Sequence, residues 1–493
     1  MRRGCGRGDA GWDDSVKHIL LLGVGPLPFY ETNHLYGFGI RAWQFVLPLL
    51  AAGHRVTLVT CEFGIPRESD LQKLSFRHSP SAFGEVEHIC LPEPNPRNTN
   101  MILTRIEEIV RTHLPHAIVA AGSTIVTNLA ASIKTDLPLW IDMFGDLFAE
   151  VQAKTPFLNE DDQFQYFHQV LARVLLRGDR FSVVSEMQKG AAVGQLGLLG
   201  RLNRFTVGEE LVWTIPCAMN GEVAPVRQRP ILRSVKLSEA DFLLLCSGGF
   251  NTWTDVDTLF YGVEGAMEKN RRVHCVVTGG KIQGHHEDGY KRFLTLISKS
   301  PFESRFHLLG WVSNDEVAQV TLECNLGLNV DLPIYESLLG SRNRILSWMQ
   351  SGLPVLSTIN TELSRIVHDH GLGLGVPVGD AKRISQAILE AASEPNRLQT
   401  IAQQARRFAY THFTFAETAK PLVRWADDPH KAGDNQERIN RNDQPFTDVD
   451  RMFYAWAFGS LDSYVRLNLP IPPKPVIRTR PHGKSWWSRL WGR

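Results

Sequence analysis

Several things are missing from this sequence, and each absence removes a class of protein. No stretch approaches the roughly 20 consecutive apolar residues that a membrane-spanning helix needs. Residues 1–16 are glycine-rich and charged, without the apolar core of a signal peptide. Charge of one sign is not in excess: 53 lysines and arginines against 52 aspartates and glutamates leave a net +1, which argues against bulk nucleic-acid binding and leaves any charge-driven partner to a local patch. The seven cysteines, Cys5, Cys61, Cys90, Cys217, Cys246, Cys275 and Cys324, form no CxxC pair and show no metal-ligand spacing. They read as buried thiols in a reducing cytoplasm, and no metal site is expected. A GxGxxG fingerprint is also missing, since Gly23, Gly25 and Pro28 do not supply it and the loop behind them is too long for a dinucleotide site. No Asp-x-Asp pair sits at a strand end; the nearest, Asp255 and Asp257, reads as the start of a helix with Asp255 as its cap.

What is present is an ordinary soluble composition, 43% hydrophobic and 21% charged over 493 residues, long enough for two domains and an appendage. From His18 onward short apolar runs alternate with helix-like segments, the pattern of an α/β fold with parallel sheets. The first half has strand-like runs at 18–25, 55–60, 86–91, 116–121, 137–143, 179–185 and 211–217. Pro48 falls inside the first helix, where a kink or nearby break is expected. The run at 137–143 carries Asp142, Asp146 and Glu150 to or beyond its carboxyl end, where open α/β sheets hold ligands; helix capping is the competing role for Asp146. Residues 221–240 lack apolar periodicity and read as a linker, after which the alternation restarts at 242–249. The division is therefore a disordered 1–16, a first domain over 17–220, a linker over 221–240, a second domain over 241–425 and a tail over 426–493.

The second half contains the most informative stretch, 331–358, DLPIYESLLGSRNRILSWMQSGLPVLST. It lies between two apolar strand-like runs, at 326–330 and 353–357. Gly340, Ser341, Arg342 and Asn343 open a helix whose free N–H groups make an anion site, and Arg342 and Arg344 add charge there. Ile345, Trp348 and Met349 give that helix an apolar face, and Gly352 ends it.

With these residues in place the chain resembles the GT-B glycosyltransferases, and is similar in particular to glycosyltransferase family 4, over about 18–425. The resemblance is carried by 342–358, RNRILSWMQSGLPVLST, and 371–380, GLGLGVPVGD, with weaker matches at 47–60, 246–259 and 306–317. It implies two facing Rossmann-like domains with parallel sheets and a C-terminal extension. The acceptor would lie on the first, a nucleotide-sugar donor on the second, and no cofactor or metal would be needed. Arg344 stands where the family has its helix Lys or Arg. Arg342, Lys281, Asp142 and His34 are the other candidate catalytic residues. Gly248, Gly249, Asn251, Thr252, Gly280, Val312, Glu336, Gly340, Ser341, Asn343 and Ser347 are the donor-binding candidates. Leu339 and Ser347 occupy the positions of the family's two glutamates eight residues apart.

The expected activity is transfer of a sugar, with retention, from a nucleotide-diphosphate sugar to a glycan, lipid-linked or small-molecule acceptor in the cytoplasm. A non-catalytic scaffold that binds nucleotide or glycan and a nucleotide-sugar epimerase are the alternatives. Residues 426–446 are polar and read as linker or disorder. The segment 448–467 has helical periodicity and reads as a docking helix. From Ser463 to Arg493 the tail holds seven lysines and arginines, no acidic residue, and Trp486, Trp487 and Trp491. That mixture suits either peripheral contact with an anionic membrane or a strap packed on the protein.

Overall fold

A computed structural model describes residues 16–28, 37–62, 76–78, 86–158, 163–220, 230–233, 237–282 and 287–440. The chain builds two sheets. The first comprises β1 (His18–Gly25), β2 (Arg55–Glu62), β3 (Phe76–His78), β4 (Val86–Pro92), β5 (Ala117–Ala120), β6 (Leu139–Met143), β7 (Arg180–Val183) and β8 (Val212–Thr214). Their spatial order is β3-β4-β2-β1-β5-β6-β7-β8, parallel except for the β3–β4 pair. The second comprises β9 (Phe242–Ser247), β10 (Val273–Thr278), β11 (Phe306–Gly310), β12 (Leu326–Asn329), β13 (Val355–Thr358) and β14 (Leu374–Val376). Its order is β11-β10-β9-β12-β13-β14, all parallel.

Both orders reverse direction beside the first strand of their half, between β1 and β5 and between β9 and β12, which is where doubly wound sheets open a crevice. All eight residues of β1 are buried, as expected of a parallel strand covered on both faces. The Gly37–Ala51 helix runs through Pro48 and ends three residues later, so the proline loses its bond only in the last turn. Among the described residues no helix is long and apolar enough to cross a membrane.

Two connecting segments differ from their sequence reading. Part of the expected linker is anchored: the backbone N–H groups of Ile231, Leu232 and Arg233 all donate to the Glu323 carboxylate, at 2.7–3.0 Å. The stretch from 426 to 440, expected to be linker or disorder, is packed on the first half. Phe415, Leu422, Trp425 and Ala426 join the core formed by Ile19, Leu21 and Val46, with the Trp140 and Trp425 rings 5.4 Å apart. Buried Arg201 then pairs with Asp434 at 2.6 Å on the Gly433–Asn440 helix. The polar composition that suggested disorder is thus partly spent on buried partners. Residues 441–493, with the docking helix and the tryptophan-rich end, lie outside the described residues.

Candidate active site

The stretch after β12 folds around Arg342. Its guanidinium lies over the Trp253 ring at 5.1 Å and is 4% exposed. Nε donates to both oxygens of Asp331 at 3.1 Å, while Nη1 and Nη2 reach Glu336 at 3.1 and 2.8 Å and Nη2 also reaches Ser337. Asp331 is itself held by Asn329 Nδ2 at 2.8 Å, and its backbone N–H donates to Thr358. The expectation that Arg342 offers its charge to a phosphate is therefore corrected: two carboxylates already neutralise it. One cation between two anions leaves a net negative charge in a buried place. Burial pushes the Glu336 carboxyl up to about 7, with Arg342 opposing. The two carboxylates raise the Arg342 pKa against the effect of burial.

Arg344, the second residue of the Asn343–Ser351 helix, goes the other way. Its Nη2 donates to the Gly249 carbonyl at 3.2 Å, and a Cβ placed on Gly248 would stand 3.5 Å from that nitrogen. Burial lowers its pKa from the usual arginine value, Asp331 opposing and Arg342 adding to the shift. Gly248 has φ 92°, and a Cβ on Gly279 would come within 2.5 Å of the Gly248 carbonyl oxygen. Glycines are thus required for the β9 and β10 loops to touch. The Asn343–Ser351 helix begins with no side-chain cap, so free N–H groups and the positive dipole end remain beside Arg344. Thr252 is buried in the same loop, and its hydroxyl has no hydrogen-bond partner among the described residues.

The remaining candidates scatter. Gly340 spends its N–H on the Glu336 carbonyl. Ser341 and Asn343 are half-buried at the helix start. Ser347 is exposed and donates to the Asn343 carbonyl at 3.2 Å. Asn251 and Val312 are half-buried. Gly280 lies against the Tyr290 ring. Lys281 is exposed at the rim, 3.6 Å from Glu287, so it too carries a counter-charge. Asp255 caps its helix, accepting from Thr258 N at 3.1 Å.

Across the gap stands the start of the Gly37–Ala51 helix. A Cβ on Gly37 would lie 3.1 Å from Asn343 Nδ2 and 3.5 Å from Phe144, so two helix N-termini meet between the halves. Ser185 Oγ donates to the Leu339 carbonyl at 2.7 Å, and Glu186 N to Glu362 at 2.7 Å, joining the halves nearby. The expectation that Asp142 is available for catalysis is corrected here. It is 1% exposed, receives Arg41 through two bonds of 2.9 and 2.7 Å, and also accepts from Ser182 and Gly122 N. Asp146 caps its helix by accepting from Ala149 N. His34 lies outside the described residues. A cavity of about 40 Å³ opens beside Asp142, lined by Phe38, Thr124, Phe144, Gly145 and Glu150 among others. Glu150 is the carboxylate on this wall that retains exposure, 26%, with Lys154 at 3.5 Å. Arg41, Trp253 and Tyr290 were not among the candidates. The partner of Arg41 lies 101 residues away, a distance that no local pattern reports.

No curated protein matches the sequence. Residues 241–394 match the family model described as glycosyl transferases group 1. Sucrose-phosphate synthase from Thermosynechococcus elongatus superposes with a TM-score of 0.61 at 17% identity, covering 83% of this chain and 98% of that one. Anabaena HepE in complex with UDP and glucose gives 0.60 at 16% identity, covering 84% and 100%. WaaG, a glycosyltransferase involved in lipopolysaccharide biosynthesis, gives 0.53 at 16%, covering 82% and 98%. The chain is therefore a GT-B fold protein whose second half is similar to the group 1 glycosyl transferases.

Proposed function

We propose that the protein transfers a sugar from a nucleoside-diphosphate sugar to an acceptor bound on the first half, without a metal ion at the phosphates and with retention of configuration. The observation that carries this reading is the uncapped start of the Asn343–Ser351 helix beside Arg344, which lies on the Gly248–Gly249 backbone. Transfer releases a diphosphate, and a fixed cation with oriented N–H groups stabilises the charge where it develops. The buried, unpartnered Thr252 hydroxyl and the close-approach glycines supply further contacts for phosphate oxygens. That HepE was captured with UDP and glucose supports a uridine donor as the first to assay. The acceptor side falls to the Phe144 and Glu150 cavity.

Arg344→Ala is expected to lower kcat about 100-fold, a loss of on the order of 3 kcal/mol, with the unfolding midpoint little changed. The assay is release of nucleoside diphosphate from a panel of nucleotide sugars, run with and without EDTA. An Arg344→Ala enzyme of normal turnover sinks the donor-site reading. Loss with EDTA that Mg²⁺ or Mn²⁺ restores sinks the metal-free one. A second reading, a scaffold that binds nucleotide without turning it over, is favoured by Leu339 and Ser347 and by the sequestered Arg342; binding without release in that panel selects it. Peripheral contact with an anionic membrane belongs to the proposal through the sequence of the tail. Each basic residue near such a surface is worth about 1 kcal/mol, so the full chain should co-sediment with anionic vesicles at low salt. A chain ending at Asp462 should not, and equal behaviour of the two removes the membrane role.

A further inference from the structure

Strands β2 and β4 lie side by side, with Thr60 opposite Cys90, Leu58 opposite His88 and Glu62 opposite Pro92. Alternation therefore points Thr60, Glu62, His88 and Cys90 to one face of the sheet at its carboxyl edge. Further back that face is apolar, with Leu58 and Val86 in the core. Here it turns polar without turning outward: the four side chains belong to residues no more than 6% exposed. A carboxylate oxygen of Glu62, a ring nitrogen of His88 and the sulfur of Cys90 lie within 4.8 Å of one another. His88 Nε2 and Cys90 Sγ are 3.7 Å apart, about the edge of a tetrahedron around an ion with bonds near 2.1 and 2.3 Å. Room for the carboxylate is made on β1, where a Cβ on Gly25 would overlap it.

A second observation points to a cation. Glu62 is 4% exposed, and among the described residues no lysine or arginine pairs with it. Its counterparts Asp142, Asp434, Asp331 and Glu336 each have an arginine at 3.1 Å or less. A buried carboxylate without a counter-charge is costly unless it is neutralised. Thr60 Oγ1 stands between the groups, 2.5 Å from Glu62 and 2.7 Å from His88 Nε2. The Thr60 hydroxyl and the Cys90 thiol donate to the carboxylate and His88 Nε2 lies against that hydroxyl, but among the described residues no positive charge is supplied.

We propose that Glu62, His88 and Cys90 bind a divalent transition-metal ion of the zinc type, with a water as the fourth ligand and the Thr60 hydroxyl turned out of the place it holds between Glu62 and His88. The donor set of oxygen, imidazole nitrogen and sulfur suits zinc, whereas magnesium and calcium take oxygen ligands. Charge also selects the ion. A divalent cation with one carboxylate, one thiolate and a neutral imidazole is electroneutral, which is what a buried site requires. On binding, the metal–sulfur bond forms, the thiol S–H bond breaks, and that proton passes to water. The site clamps β4 to β2 on the first sheet, away from the diphosphate region of the second, so its effect falls on stability and on the Glu62 end of β2. The sequence offered no usable spacing because the ligands come as T-x-E on one strand and H-x-C on another, with 25 residues between the two motifs.

The test uses the full chain. Purified without chelator, it should carry about one zinc per chain by inductively coupled plasma mass spectrometry. Exchange into Co²⁺ should give a thiolate-to-cobalt charge-transfer band. Cys90→Ser should abolish that band, and His88→Gln should weaken zinc by more than the roughly 10- to 100-fold that loss of an outer-shell partner costs. Zinc should also raise the unfolding midpoint of the unmodified chain but not of Cys90→Ser. Well under a tenth of an equivalent of zinc taken up at micromolar free metal overturns the proposal. So does a cobalt spectrum of the unmodified chain without the thiolate band, which needs no variant to fold. Stoichiometric metal that survives Cys90→Ser places the ion elsewhere and overturns it equally. None of these readouts depends on the transferase reading: zinc uptake with no turnover, or turnover with no zinc, separates the two.

Discussion

Each half of the molecule sets a buried arginine–aspartate pair at or just past the carboxyl edge of its sheet, and the two pairs differ in how their charge is balanced. In the first half Arg41 meets Asp142 one to one, and the remaining donors and acceptors go to Gln44, the Pro216 carbonyl, Ser182 and Gly122 N. In the second half Arg342 serves Asp331 and Glu336 together, and burial pushes Glu336 up to about 7 although Arg342 opposes the shift. The first pair is a clamp between β6 and the Gly37–Ala51 helix. The second shapes the loop from which the Asn343–Ser351 helix starts, and keeps its own cation away from the cleft. Arg344, two residues on, is left as the arginine that touches the glycine loop.

The sharpest way to break this contrast is to remove a cation from the balanced pair. Arg41→Ala leaves Asp142 buried and charged, and breaking a buried pair from one side costs about 3–5 kcal/mol. A urea unfolding series should show a loss of that size at neutral pH. A loss under about 1 kcal/mol would mean that Ser182 and Gly122 N suffice and that the clamp reading is wrong.

Next in size is the pH response of the unbalanced pair. The folded-state pKa of Glu336 lies above its unfolded value, so its contribution is fully present below the unfolded pKa, about 4.5, and is lost as pH rises through about 7. The stability difference between the unmodified chain and Glu336→Gln should therefore move against the unmodified chain from pH 5 to pH 8, by on the order of 2 kcal/mol. Subtracting the two proteins removes the titration of every other group. A difference that is flat over this range would show that Arg342 balances both carboxylates after all.

Much of the fold was readable because parallel strands covered on both faces are written as unbroken apolar runs: HILLLGVG became β1 and FLLLCS became β9. The Asn343–Ser351 helix was readable from the spacing of Ile345, Trp348 and Met349, all buried, and from Gly352, which closes it at φ 75°. Which charges are free was not readable. Arg342 and Arg344 look alike in sequence, yet one is consumed by residues six and eleven positions upstream and the other reaches 95 positions back to Gly249. Asp142 became a candidate because its strand carries it to the carboxyl edge of the sheet, and Arg41 already occupies it. The same limit hid Glu62, His88 and Cys90, whose meeting depends on which strands are neighbours. Periodicity reports faces of single elements; charge balance is a property of the assembled sheet.

The smallest effect expected on stability is at Thr252, and it bears most directly on the division between held and available groups. Its hydroxyl is buried and unpartnered among the described residues, so Thr252→Val removes a polar group that gains nothing from the fold and keeps the branched shape. The unfolding free energy should stay within about 0.5 kcal/mol, or rise, because an unsatisfied buried hydroxyl carries its desolvation cost without a bond. Nucleoside-diphosphate affinity should fall several-fold, the share of one lost hydrogen bond of about 1 kcal/mol. Isothermal titration on the unmodified chain and the variant, beside a urea melt of each, reads both quantities. A variant that loses stability while binding is unchanged would show that the hydroxyl serves the fold. The diphosphate would then have to be held by Arg344 and the helix start without help from the β9 loop.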